Sequence, residues 1–254
     1  MNLETLEDIT YAWIAVALIV HVTMFFIKAP FGRHTSEKWG RSVDNKLGWF
    51  IMELPSLSIM VYFLFRGINA DSSYVWILFA LWIIHYINRT FIYPLRIKPT
   101  PKKMPVFIVG SGIFFNIVNA GLNGYYLSEL APPALYDYHW LVSTNFILGI
   151  ILFFGGMFIN WKSDTILISL RKRGEIGYKI PKGFLFDFIS TPNLFGEIIE
   201  WTGFAIMAWN LPAFSFMIWT SANLVPRSKN HHDWYHQNFT DYPKERKIVF
   251  PFLY

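Results

Sequence analysis

Apolar runs long enough to cross a bilayer constrain this chain more than any motif does. Segments 9–27, 47–65, 74–93, 105–127, 140–159, 194–209 and 211–225 each approach the roughly 20 apolar residues that a membrane-spanning helix needs. Hydrophobic residues make up 54% of the 254, aromatics 19% and charged residues 15%, which excludes an ordinary soluble domain. Lipid cannot satisfy backbone N–H and C=O groups, so runs of this length are read as helices that bond internally. The expected fold class is all-α: one polytopic domain over 1–254 with seven transmembrane helices and ordered loops. Asn210-Leu211-Pro212 reads as a tight turn making a hairpin of the last two runs, because proline fixes φ and restricts the residue before it. The acidic opening Asn2-Leu3-Glu4-Thr5-Leu6-Glu7-Asp8 is unlike a signal peptide, so the first run is expected to remain as a helix.

Lysine and arginine then orient the bundle. Of 22 basic residues, all but Arg66 fall after the first run, around the end of the third, after the fifth or in the tail beyond Val225. The N-terminus is therefore expected outside and the C-terminus in the cytoplasm. The net charge of +5 is explained by these connections, and no nucleic acid is expected as a partner. Cysteine is absent, which removes disulfides and thiolate sites. His231-His232 and His236 look like a fragment of a histidine box, but His21, His34, His85 and His139 are scattered over different segments, so no metal is expected. Neither G-x-G-x-x-G nor a phosphate-loop motif is present.

Glu53 is the anomaly within the second run. A charged group at that depth costs about 2.5 kcal/mol or more, so it marks either function or an interhelical hydrogen bond. Measured from the basic ends, Glu53 is level with His85, Tyr86 and Arg89 on the third run and with Asn160 and Asp164 closing the fifth. Asn193, Glu197 and Glu200 open the sixth run on one helical face. Together they outline a pocket open to the cytoplasm. A carboxylic acid kept neutral there could donate a hydrogen bond to a substrate oxygen. Glu200 is read as neutralising a nearby arginine. Asn116, Asn119 and Asn123 share a face, as ligand contacts or as interhelical hydrogen bonds. Trp140, Trp161, Trp201 and Trp209 read individually as belt or core residues. The basic connection 161–192 has the electrostatics of an anion clamp, and the aromatic tail is expected to fold back onto the same face.

Several stretches then form a pattern: Pro30-Phe31-Gly32-Arg33-His34-Thr35, Glu53-Leu54-Pro55-Ser56, His85-Tyr86 with Arg89-Thr90-Phe91 and Tyr93, and Gly124-Tyr125-Tyr126-Leu127. Further on come Ile159-Asn160 with Ser163-Asp164, Gly174-Glu175-Ile176 with Tyr178, Asn193-Leu194-Phe195-Gly196-Glu197-Ile198-Ile199-Glu200-Trp201, His231-His232, Tyr235, Asp241-Tyr242-Pro243-Lys244 and Arg246. In order and spacing the chain resembles the steroid 5α-reductases, the type 2 isozyme especially, across essentially its whole length. Met52, Asn88 and Lys179 depart from that pattern.

The resemblance implies a monomeric integral membrane enzyme that reduces the C4–C5 double bond of 3-oxo-Δ4-steroids with NADPH. Its membrane would be a bacterial inner membrane or the endoplasmic reticulum, with the site facing the cytoplasm. It implies that Glu53 and Tyr86 hydrogen-bond the 3-oxo group. Asn160, Asp164, Arg171, Tyr178, Asn193, Glu197, His231, Tyr235 and Arg246 would hold NADPH, with Arg33, Arg89, Tyr93, Lys179, Trp201 and Arg227 around them. Residues 1–100 would form the substrate-polarising half and 101–254 mainly the NADPH-binding half. The competing readings are reduction of another lipid, an enoyl-CoA or polyprenol, and a methyltransferase of isoprenylcysteine type.

Overall fold

A computed structural model describes residues 1–28, 30, 32–34, 39–67, 74–98, 103–170, 175 and 177–254, with the backbone alone at Arg33. Arg171, together with Lys38, Lys102, Lys172 and Arg173, lies outside the described residues, as does the Arg33 side chain. The described chain is mostly helical. Helices α1 (Leu3–Phe26), α2 (Asn45–Arg66) and α7 (Thr144–Ser169), with α5 (Val106–Tyr125) extended by a π turn to Leu130, are long and apolar enough to cross a membrane.

The other apolar runs fold as helices that differ from a plain span for identifiable reasons. The third run is composite: α3 (Trp76–Ile87), a π turn (Asn88–Ile92) and α4 (Tyr93–Arg96) follow one another without a break. The sixth forms α8 (Pro192–Ala208), and the seventh begins α9 (Leu211–Asn238), which continues through Pro226 into the polar tail. The turn between them is made by Trp209 in a left-handed conformation (φ 46°) and by Asn210, whose Oδ1 accepts the Ala213 N–H at 2.9 Å. Pro212 sits in the first turn, where a missing N–H costs nothing. The short α6 (Tyr138–Leu141) precedes α7.

Helix α7 pairs with α8, α2 with α5, and α1 with α9. The α7–α8 contact is the closest because glycines interlock: a Cβ on Gly156 would lie 2.4 Å from Glu200 N, and one on Gly203 would lie 2.5 Å from Phe153 N. Small residues of this kind let helix backbones approach where lipid supplies no hydrophobic drive. At one end of the bundle β1 (Ser42–Asp44) pairs antiparallel with β2 (Lys103–Pro105) in the register Val43↔Met104. The tail returns to the foot of α8, where Ser190 N–H donates to Lys247 O at 2.9 Å and Val249 packs with Leu194, Ile198 and Leu224.

Candidate active site

Pro55 lies inside α2, close to Glu53. A proline there leaves a carbonyl of the preceding turn without its helical donor and disturbs the local ladder. Next to it, Met52 O accepts a hydrogen bond from Asn116 Nδ2 of α5 at 2.8 Å, and the same nitrogen is 3.1 Å from Glu53 Oε2. Tyr86 OH donates to Asn116 Oδ1 at 3.1 Å. Glu53 and Tyr86 are therefore joined through one amide, and all three side chains are buried. Asn116 lies outside residues 1–100, the segment expected to polarise the substrate, yet reaches the acid within it.

Tyr86 is held from behind. Trp82, one turn earlier, stacks on it at 5.5 Å and 17°, and the indole N–H donates to Ser56 Oγ at 3.0 Å. The neighbouring Asn119 and Asn123 serve other helices: Trp13 Nε1 of α1 donates to Asn119 Oδ1 at 3.2 Å, and Asn123 Nδ2 donates to Pro212 O of α9 at 3.2 Å. The three asparagines thus divide between interhelical bonds and the acid, a distinction that their shared face in the sequence leaves open.

Arg89 sits in the π turn, a feature often found at functional sites because it adds a residue to one turn and re-aims the side chains after it. Its guanidinium stands 3.9 Å from both Glu53 Oε1 and Asp164 Oδ2, over the rings of Trp49 at 4.5 Å and Tyr93 at 5.0 Å. Glu200, expected to neutralise an arginine, is instead fully buried with Oε1 2.8 Å from His85 Nδ1. Asn160 and Asp164 do not close their helix either: α7 runs on to Ser169, which leaves both inside it. Asn160 Nδ2 donates to Asn193 O at 3.0 Å, and Asn193 Nδ2 donates to Asp164 Oδ1 at 3.3 Å, so the α7–α8 interlock brings these groups together. Glu197, one turn further along α8, acts electrostatically on Arg89, Tyr93 and Arg227.

The remaining residues named from the sequence are spread around this centre. Trp201 lies in the aromatic core, 4.7 Å from the His85 ring and 6.2 Å from Tyr86. Arg227 Nη1 donates to Asn223 Oδ1 at 3.3 Å, His231 stacks on His34 at 5.5 Å, and Tyr178 meets Trp234 edge-on at 4.9 Å. Tyr235 is buried and stacked on Tyr242 at 5.0 Å, and Arg246 covers Tyr242 at 5.1 Å. Lys179 pairs with Glu175 on the surface at 2.6 Å. Ser190 Oγ contacts His232 Nδ1 and Tyr242 OH, each at 2.7 Å. Burial, then the neighbouring His236, holds the His232 imidazole below its ordinary value.

These residues fit an anionic dinucleotide. Arg246 is 4% exposed, yet its Nε and Nη1 have no hydrogen-bond partner among the described residues, and the same holds for Asn160 Oδ1 and Ser163 Oγ. A buried guanidinium with idle N–H groups suits phosphate, and idle amide and hydroxyl oxygens suit ribose or carboxamide donors. No group of three or more metal-ligating side chains forms among the described residues.

Apolar helices long enough to cross a membrane enclose an acid, a phenol and a guanidinium in one buried polar cluster. Comparison with known proteins makes the class specific. Residues 102–254 match the family described as 3-oxo-5-alpha-steroid 4-dehydrogenase. The chain is 37% identical over 243 residues to the steroid 5-alpha-reductase DET2 of Gossypium hirsutum, covering 94% of this chain and 93% of that protein. It is 36% identical over 252 residues to 3-oxo-5-alpha-steroid 4-dehydrogenase 1 of Bos taurus, covering 98% and 96%, and 36% identical over 252 residues to the Homo sapiens enzyme of the same name, covering 98% and 95%. The chain belongs to this family of oxidoreductases acting on CH–CH groups.

Proposed function

We propose that this protein is a seven-span membrane enzyme, N-terminus outside, that reduces the C4–C5 double bond of 3-oxo-Δ4-steroids with NADPH. The buried connection from Glu53 through Asn116 to Tyr86 carries this reading, because it gathers two groups able to donate to one substrate oxygen inside an apolar site. A Δ4-3-ketone accepts a nucleophile at C5 only as negative charge moves onto its oxygen, and donors fixed where that charge develops stabilise the transition state. NADPH, when bound, supplies the hydride for C5. Glu53 and Tyr86 hold the developing enolate oxygen, and the product forms on protonation at C4. Arg246 and Arg227 favour the phosphates, and Asp164, Asn193 and Glu197 orient the polar remainder.

Purified protein with NADPH and testosterone or progesterone tests the reading by product analysis and NADPH loss. Removal of one such donor costs about 10²–10³ in rate. Glu53→Gln and Tyr86→Phe are expected to keep NADPH binding and lose turnover by that order. Near-normal turnover in either, or reduction by NADH as fast as by NADPH, contradicts the assignment.

A further inference from the structure

The hydrogen bonds around Tyr86 have a direction that cannot be reversed. At one end stands the Trp82 indole N–H, a donor only, which donates to Ser56 Oγ at 3.0 Å. At the other end stands Met52 O, an acceptor only, which takes an N–H from Asn116 at 2.8 Å. The carbonyl fixes the amide: Nδ2 must face Met52 and Glu53, so Oδ1 must face Tyr86. The one proton of Tyr86 therefore points to Asn116 Oδ1 at 3.1 Å. The second N–H of Asn116 points to Glu53 Oε2 at 3.1 Å. That bond fixes the carboxyl plane and leaves the other oxygen, Oε1, on the Arg89 side, 3.9 Å from its guanidinium.

We propose that Asn116 is the positioning residue of the carbonyl-polarising pair, fixing the orientation of the Glu53 carboxyl and the direction in which the Tyr86 hydroxyl points before substrate arrives. The inference rests on the functional reading above. Glu53 then meets the substrate oxygen with its carboxyl already oriented. Tyr86 joins it by turning its O–H from Asn116 to the ketone, a rotation about one C–O bond that moves no helix. Asn116 touches neither substrate nor cofactor and acts through the other two.

The test is a kinetic cycle on the full-length enzyme with a 3-oxo-Δ4-steroid. Misplacement by about 1 Å can cost of order 10²-fold in rate. Asn116→Ala and the nearly isosteric Asn116→Asp are each expected to lower kcat by about 10- to 100-fold, with the NADPH dissociation constant within about twofold of wild type. In a Tyr86→Phe background, where half of what Asn116 orients is already gone, the cost of Asn116→Ala should shrink by at least about threefold, since groups acting as a unit are not additive. A merely structural role would give the same loss in both backgrounds or weaken NADPH binding along with the rate. Either result overturns the inference, as does a kcat above half the wild-type value in either variant. The Asp variant decides the matter if the Ala variant does not fold. A wild-type protein that reduces no 3-oxo-Δ4-steroid overturns the functional reading and takes this inference with it.

Discussion

At the scale of single residues, one hydroxyl gathers three parts of the tail. Ser190 Oγ meets His232, Tyr242 and the Lys247 carbonyl within 3.2 Å, so a side chain just ahead of α8 ties the end of α9 to the returning chain. His236, Asp233 and Lys229 also act on His232, and burial keeps its folded value below the ordinary 6.5. The unfolded chain therefore binds the proton more readily than the folded one, and stability rises with pH across that window. The stabilisation is present above about 6.5 and is lost as pH falls toward the folded value. Melting temperature in detergent is expected to drop between pH 7.5 and 5.5, and His232→Gln should remove part of that drop; an unchanged pH dependence in the variant refutes it. Glu53 was legible because a carboxylate is conspicuous in an apolar run. Ser190 was not, because an ordinary serine gains its role from a partner 57 residues away; Asn116 was legible as an interhelical or ligand contact, but not its link to Glu53, 63 residues away.

At the scale of elements, the site depends on how closely α7 and α8 approach. Gly149 and Gly156 on one helix meet Gly203 and Gly196 on the other, and an added Cβ at any of them would fall 2.7 Å or less from backbone of the partner helix. Asn160 follows Gly156 by one turn, and Asn193 precedes Gly196 by about one, so the interlock sets the Asn160–Asn193–Asp164 contacts. Overpacking of this kind costs about 1–3 kcal/mol. Gly156→Ala is expected to lose stability of that order and to weaken NADPH binding. Gly155→Ala, with nothing within 4 Å of the new Cβ, should do neither. Thermal melts and a cofactor titration on both variants check this, and equal behaviour would mean that the interlock does not set the site. The repeat of glycine every seventh residue was there to be read in both segments. What no window reveals is the π turn at Asn88–Ile92, because its residues are ordinary.

At the scale of the whole molecule, the apolar runs announced a helical membrane protein, yet only four described helices meet length and composition by themselves. The difference is physical. The third run is divided by its π turn, α8 is 17 residues long, and α9 dilutes its apolar start with a polar tail. The ends of the bundle also differ in charge. At one end Arg96 Nη2 donates to Thr165 Oγ1 at 2.6 Å, β1 pairs with β2, and the Lys247 segment joins the foot of α8. At the other, Arg66 bonds Tyr62 OH at 2.7 Å and the N-terminal amine bonds Tyr125 OH at 2.8 Å. The proposed orientation, with the lysine- and arginine-rich connections on the cytoplasmic side, would put the N-terminus outside and the tail inside. The absence of cysteine makes this directly measurable. In a chain carrying Glu4→Cys, a membrane-impermeant maleimide applied to intact cells is expected to label the protein. With Lys244→Cys, labelling should require permeabilised membranes. Both positions are exposed, so a failure to label reports sidedness rather than burial. Labelling of both from the same side would mean an even number of crossings, and one of the three unconventional runs would then have to lie within the bilayer without spanning it.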